Sequence, residues 1–143
     1  MNKTTLLEEF SRTKIERALN SFTYLFSDSY HKDIPVALFW SLSGLEALYV
    51  EGDTGITQQL NDKIQVFLGE IETDKKRLKK LYNFRSSLIH GGMSIPIKDA
   101  IINDEKHLDN LYEMNTFAII ILVTSLQKII KNNLTELKFK YTY

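Results

Sequence analysis

The run Val36–Val50, VALFWSLSGLEALYV, holds one charged residue, Glu46, in an otherwise apolar and small-residue stretch. A helix that is apolar on almost every side must be enclosed by other elements. This segment is therefore read as the central helix of a fold whose remaining parts surround it. The chain has 143 residues, enough for one domain, and 43% of them are hydrophobic, enough for a proper core. Six glycines and two prolines among long runs of Leu, Ile, Lys and Glu favour helices. The expectation is an all-α bundle of four to five helices, one domain over residues 1–143. Its core spans about residues 5–132, with a tail over 133–143.

The elements around the central helix follow from periodicity and punctuation. Leu6, Leu7, Phe10, Ile15, Leu19, Phe22 and Phe26 recur at helical spacing, predicting a first helix from about Thr5 to Phe26. Asp33-Ile34-Pro35 reads as the start of the second, with Asp33 as cap and Pro35 in the first turn. A third helix, Ile56–Leu68, stops at Gly69. Thr73 marks the start of a fourth, which ends at Gly91, and a fifth runs from about Asp104 to Asn132. The tail Thr135–Tyr143 alternates polar and apolar residues, which suits a short strand or an extended arm.

Charge and cysteine content narrow the functions. Lys plus Arg balances Asp plus Glu at 18 each, so any attraction for phosphate has to be local. With zero cysteines there are no disulfides and no thiol chemistry, as suits a reducing cytoplasm. The opening MNKTTLLEEFSR lacks the apolar core of a signal peptide. The longest apolar run, Phe117–Val123, is far shorter than the roughly 20 residues a bilayer crossing needs. A soluble, cytoplasmic protein with no membrane partner is expected.

One segment carries candidate chemistry. Leu81–Gly92, LYNFRSSLIHGG, places Arg85 and His90 five residues apart at the end of the fourth helix. Arg85 is a permanent cation suited to phosphate or carboxylate, and His90 is of the one side-chain type that ordinarily changes charge near neutral pH. On an ideal helix the two lie about 140° apart, so they border one cleft only if that cleft crosses the helix end. Gly91 and Gly92 leave room for a close approach, and Ser86 and Ser87 offer hydroxyls beside the pair. A structural reading competes: Arg85 in an ion pair, His90 closing the helix. Glu46, lodged in the apolar helix, needs a partner or an exit to solvent. Arg85 is the natural partner, since guanidinium grips carboxylate with two hydrogen bonds. Lys76, Lys79 and Lys80 guide a polyanion or simply form a solvated face. The aromatics Phe39, Trp40, Tyr49, Phe67, Tyr82, Phe84, Tyr112 and Phe117 read as core before stacking platforms, while Tyr82 and Phe84 are close enough to Arg85 for one of them to face a ligand. His31 and His107 lack neighbours at metal-ligand spacing, so no metal and no cofactor are expected.

Taken together, LSGLEALYV, LYNFRSSLIHGG with its R-x4-H, and the long apolar last helix resemble the HEPN superfamily, within it the Apea-like HEPN group. The resemblance covers roughly Ser11 to Asn132. It implies an up-and-down helical bundle that forms a two-fold dimer, with Arg and His of both copies meeting at the interface. It further implies metal-independent cleavage of RNA in toxin–antitoxin or antiviral defence, with an antitoxin or regulatory protein as partner. Arg85 would then hold the scissile phosphate, and His90 would act as general base or general acid. Ser86 departs from the Asn, Asp or His that often follows this arginine in catalytic members. HEPN domains that only bind a partner protein or a nucleotide are the alternative.

Overall fold

The computed structural model describes residues 13–26, 34–69, 72–91 and 105–139. Five helices account for most of them: α1 (Lys14–Leu25), α2 (Ile34–Tyr49), α3 (Ile56–Leu68), α4 (Glu72–Ile89) and α5 (Glu105–Lys131), with no strand among the described residues. The fold is an all-α helical bundle, as the composition indicates.

The contacts between helices give their directions. Tyr24 stacks on Trp40 at 4.5 Å between ring centroids, while a Cβ on Gly44 would lie 3.5 Å from Ser21, so α1 runs antiparallel to α2. Glu46 meets Arg85, and Pro35 and Val36 share a groove with Leu88 and Ile89, so α4 runs antiparallel to α2 as well. Arg77 lies over Phe117 and Lys80 reaches Asn110 and Glu113, which makes α4 antiparallel to α5. Helices α1, α2, α4 and α5 thus alternate up and down. Helix α3 closes the end where α2 finishes, with Phe67 edge-on to Tyr49 and Lys128 donating to the Phe67 carbonyl.

Helix α2 is the hub, packing against α1, α3 and α5. Leu38, Leu42, Leu45, Leu48 and Tyr49 are all buried on it. Facing them, α5 buries Leu111, Met114, Ala118, Leu122, Leu126 and Ile129 at spacings of three and four. Burying a leucine side chain stabilises by about 1.5–3 kcal/mol, so this seam is a large contributor to stability. Gly44 sits where α2 and α5 come closest: a Cβ there would lie 2.9 Å from a Leu122 methyl. By length and composition α5 is also able to cross a membrane, over Leu108–Lys131, and 44% of its most apolar window is buried inside the bundle. Its buried face and its packing on α2 are those of a core helix.

Two expectations change at the element ends, and the tail's two alternatives are decided. Helix α1 starts at Lys14, not near Thr5, because Thr13 forms a capping box: its hydroxyl accepts from the Glu16 amide and the Glu16 carboxylate accepts from the Thr13 amide. Residues 5–12 lie outside the described residues, as does Asp33, the expected cap of α2. Helix α4 begins one residue before Thr73, which is therefore inside it and not its cap. The tail forms no strand over 134–139. Helix α5 ends in a Schellman motif, the Leu134 amide donating to Ile129 and the Asn133 amide to Ile130, with Asn133 left-handed at φ 52°. That turn sends the chain back over the bundle. Leu137 enters the core, and Phe139 packs on Tyr49 with the Lys63 ammonium 5.4 Å from its ring centre. Leu137→Ala is expected to lower the unfolding free energy by about 2–3 kcal/mol in urea denaturation. An unchanged midpoint would mean the tail merely rests on the surface.

Candidate functional site

Arg85 and Glu46 form a two-point ion pair. The Arg85 Nε donates to Glu46 Oε1 at 2.5 Å and Nη2 donates to Oε2 at 3.1 Å. Their side chains are 12% and 25% exposed, so the pair sits at the margin of the core with one side open to water. This answers the question that Glu46 poses in the sequence: its carboxylate is matched by the guanidinium across α2 and α4 and does not reach out to solvent alone. The pairing uses one edge of the guanidinium. Nη1 makes no hydrogen bond among the described residues and remains available as a donor.

His90 lies on a different side of the same helix. Its backbone amide closes the last turn on the Ser86 carbonyl at 3.0 Å, and the residue is exposed. Its imidazole makes no hydrogen bond among the described residues. Gly91 follows at φ 69°, the left-handed cap a glycine adopts without cost. A Cβ on Gly91 would meet nothing within 4 Å, so this glycine serves the turn and not a close approach; Gly92 is outside the described residues. At about 100° per residue, Lys76, Lys79, Asn83, Ser86, Ser87 and His90 fall within about 50° of a common direction on α4. Lys76, Lys79, Asn83 and His90 are exposed along this face, and both serines are half-buried. Arg85 points roughly 150° away from it, toward α2. Two surface grooves beside α4, one lined by Pro35, Val36, Phe39, Leu88 and Ile89 and the other by Arg77, Tyr112 and Phe117 among others, include neither Arg85 nor His90.

The remaining candidates separate. Lys80 leans toward α5, its Nζ 3.2 Å from Asn110 Oδ1 and 3.6 Å from Glu113 Oε2. Tyr82 must be withdrawn as a ligand-facing residue. It is 2% exposed, and its ring fills the core between α4 and its neighbours, so it cannot reach RNA. Two aromatics read as core are on the surface instead: Phe39 is 51% exposed and Tyr112 is 53% exposed. Arg77, passed over within the lysine run, lies against Phe117 and takes part in a surface groove with Tyr112. The alternation of charge and aromatic residues on α4 and α5 was the available signal for it. His31 and the His107 side chain are outside the described residues, among which no three His, Cys, Asp or Glu side chains gather.

Two buried tyrosines make a contrast that tests the core's polar bookkeeping. The Tyr49 hydroxyl and the Ser125 hydroxyl lie 2.7 Å apart, and Ser125 also donates to the Ile121 carbonyl. The Tyr82 hydroxyl has no partner among the described residues. Burial raises the pKa of both phenols, opposed at Tyr49 by the Ser125 hydrogen bond and reinforced at Tyr82 by Tyr49 and Asp62. Tyr82→Phe is therefore expected to be neutral or to stabilise by up to about 1 kcal/mol. Tyr49→Phe is expected to cost about 1 kcal/mol. Paired thermal melts check the order, and the reverse order would show that Tyr82 has a partner.

What this arrangement offers chemically is a guanidinium held in place by Glu46 and an exposed imidazole on one short segment. No family model, curated protein or solved structure matches the chain.

Proposed function

We propose that this protein is a metal-independent endoribonuclease of the HEPN type, acting in the cytoplasm in defence or stress response. The observation that carries the reading is the pairing of a fixed guanidinium with an unengaged imidazole five residues later. Glu46 holds one edge of Arg85, which leaves Nη1 to a phosphate oxygen. The His90 imidazole is exposed and makes no hydrogen bond among the described residues, so it is open to a substrate. Because α4 turns the two groups to different sides, the reading requires a site completed by a second copy of the chain. Arg85 of one protomer then faces His90 of its partner.

In that arrangement His90 removes the proton from a ribose 2′-hydroxyl, which attacks the adjacent phosphorus. Arg85 stabilises the charge that builds on the phosphoryl oxygens, and the departing 5′-oxygen takes its proton from water. The products are a 2′,3′-cyclic phosphate and a 5′-hydroxyl. The test is incubation of the purified protein with single-stranded RNA in excess EDTA, followed by end-group analysis. Cyclic phosphate ends support the reading; intact RNA at concentrations where a dimer persists ends it.

A second reading has its own support. An apolar groove of about 430 Å³, lined by Pro35, Val36, Phe39, Leu88 and Ile89, lies beside the end of α4. Phe39 and Ile89 are each 51% exposed there. On this reading the bundle is a non-catalytic HEPN module binding a partner protein or nucleotide, with Arg85 only an interhelical tie. Substitution of His90 would then leave RNA untouched in every sample.

A further inference from the structure

Helix α5 has an uncharged outward face that its own bundle leaves bare. No Asp, Glu, Lys or Arg occurs over 114–127, about four turns. Only 44% of the most apolar window of this helix is buried, so more than half of it lies outside the core. Thr116, Ile120, Thr124 and Gln127 are exposed there, within about 40° of one direction and opposite the seam packed on α2. Ile120, at the middle, is 55% exposed. The outward face of a surface helix is ordinarily charged. On this stripe charge appears only at the two ends: exposed Asp109 and Glu113 toward the helix start, and exposed Lys131 in the last turn. Asp109 and Lys131 make no ion pair among the described residues, while Glu113 faces Lys80 at 3.6 Å.

The stripe is also symmetric about its centre. Counted from Ile120, Thr116 and Thr124 are each four residues away, Glu113 and Gln127 seven, and Asp109 and Lys131 eleven. The helix dipole favours acids at the start and bases at the end of any helix. It calls neither for an uncharged middle nor for equal spacing about a bare isoleucine. We infer that this face binds a second copy of the chain, antiparallel and two-fold about Ile120, with Asp109 of each protomer against Lys131 of its partner. A two-fold contact must be self-complementary: if one residue meets another, the reverse pairing is made as well. The stripe meets that condition along its length, Ile120 against itself, Thr116 against Thr124, and the Glu113 carboxylate against the Gln127 amide. The charges select the occupant. A parallel copy would set acid on acid and base on base. A lipid surface favours cations around an apolar face, and Asp109 and Glu113 stand there instead. This contact is separate from the one that joins Arg85 to His90. Helix α4 runs antiparallel to α5, so His90 lies about 30 Å along the bundle from Ile120 and the two imidazoles end about 60 Å apart. The inference therefore stands without the ribonuclease reading.

The experiment measures the mass of the full chain by light scattering over about 10–200 µM, since one helix on one helix is a small interface and micromolar association is expected. Ile120→Glu is expected to halve the native mass, with helical circular dichroism unchanged because the side chain is at the surface. Asp109→Lys and Lys131→Asp each set like charges at both ends of the contact and are expected to weaken association at least about 10-fold. Mixed in equal amounts, the two variants are complementary at both ends, and the mixture is expected to regain the native mass. A purely structural role for either residue produces no such rescue. A native mass kept by Ile120→Glu, or a mixture no heavier than its components, overturns the inference. So does a native chain of monomer mass at the top of the concentration range, or one that floats with phosphatidylcholine vesicles in an Ile120-dependent way.

Discussion

His90→Ala protein is expected to lose RNA cleavage by roughly 10²–10⁴-fold, the usual contribution of a positioned acid or base. It is also expected to melt within about 1 °C of the native protein. The second half of the expectation gives the first its meaning. His90 is exposed, and among the described residues it is held through its backbone amide, which alanine also has. An activity loss at unchanged stability is therefore a loss of chemistry. His90→Gln sharpens the test, since glutamine keeps a polar side chain but cannot shuttle a proton near neutral pH. If either variant cleaves RNA at the native rate, the imidazole has no part in hydrolysis, and the partner-binding reading takes over.

Arg85 behaves differently because it is built into the structure. Arg85→Ala leaves the Glu46 carboxylate at the margin of the core without its two donors. Removing one member of a fully buried pair costs about 3–5 kcal/mol; here the pair is open on one side, so about 2–3 kcal/mol is expected in denaturant unfolding. The double replacement Glu46→Leu with Arg85→Met removes both charges and fills the space. It is expected to recover most of that stability, since a well-packed apolar pair often equals an ion pair. Arg85→Lys keeps the charge but cannot make the two-point contact. The double variant then separates the two roles of Arg85. A stable bundle that no longer cleaves RNA supports a phosphate-binding guanidinium. A stable bundle that cleaves normally reduces Arg85 to an interhelical tie.

The legible parts of this fold are those fixed by local rules. Helix α3 runs over Ile56–Leu68 as read, because Gly55 and Gly69 both adopt positive φ at its two ends. The Glu46–Arg85 pair was legible for an energetic reason: a carboxylate in so apolar a helix has few partners that satisfy it, and an arginine on a neighbouring helix is the best of them. The Thr13-x-x-Glu16 box was equally present in the sequence, but apolar periodicity upstream drew the first helix too far. Tyr82 failed for a tertiary reason. Proximity to Arg85 in sequence says nothing about which side of α4 faces α2 and α5, and the ring went to the core. The tail was ambiguous because alternation of polar and apolar residues fits any extended segment. Asn133 in a left-handed turn is what folds it back, and sequence alone does not mark asparagine for that role. The separation of Arg85 and His90 across α4 follows from their spacing.

The two poles of the bundle are unlike. At one, α3 and the folded-back tail form a clasp in which Gln59 binds the Glu51 amide and the Lys63 ammonium through one oxygen and two backbone carbonyls through its nitrogen. At the other, about 24 Å away along α2, stand the end of α4, the imidazole and the bare Phe39–Ile89 groove. The Glu46–Arg85 pair stands between them, nearer the clasp along α2. The clasp is where the molecule can be hardened against heat, by disulfide or repacking, without touching the Phe39–Ile89 groove. Amide exchange should be slowest around Tyr49 and Ser125 and fastest around Ile89, a gradient running from one pole to the other.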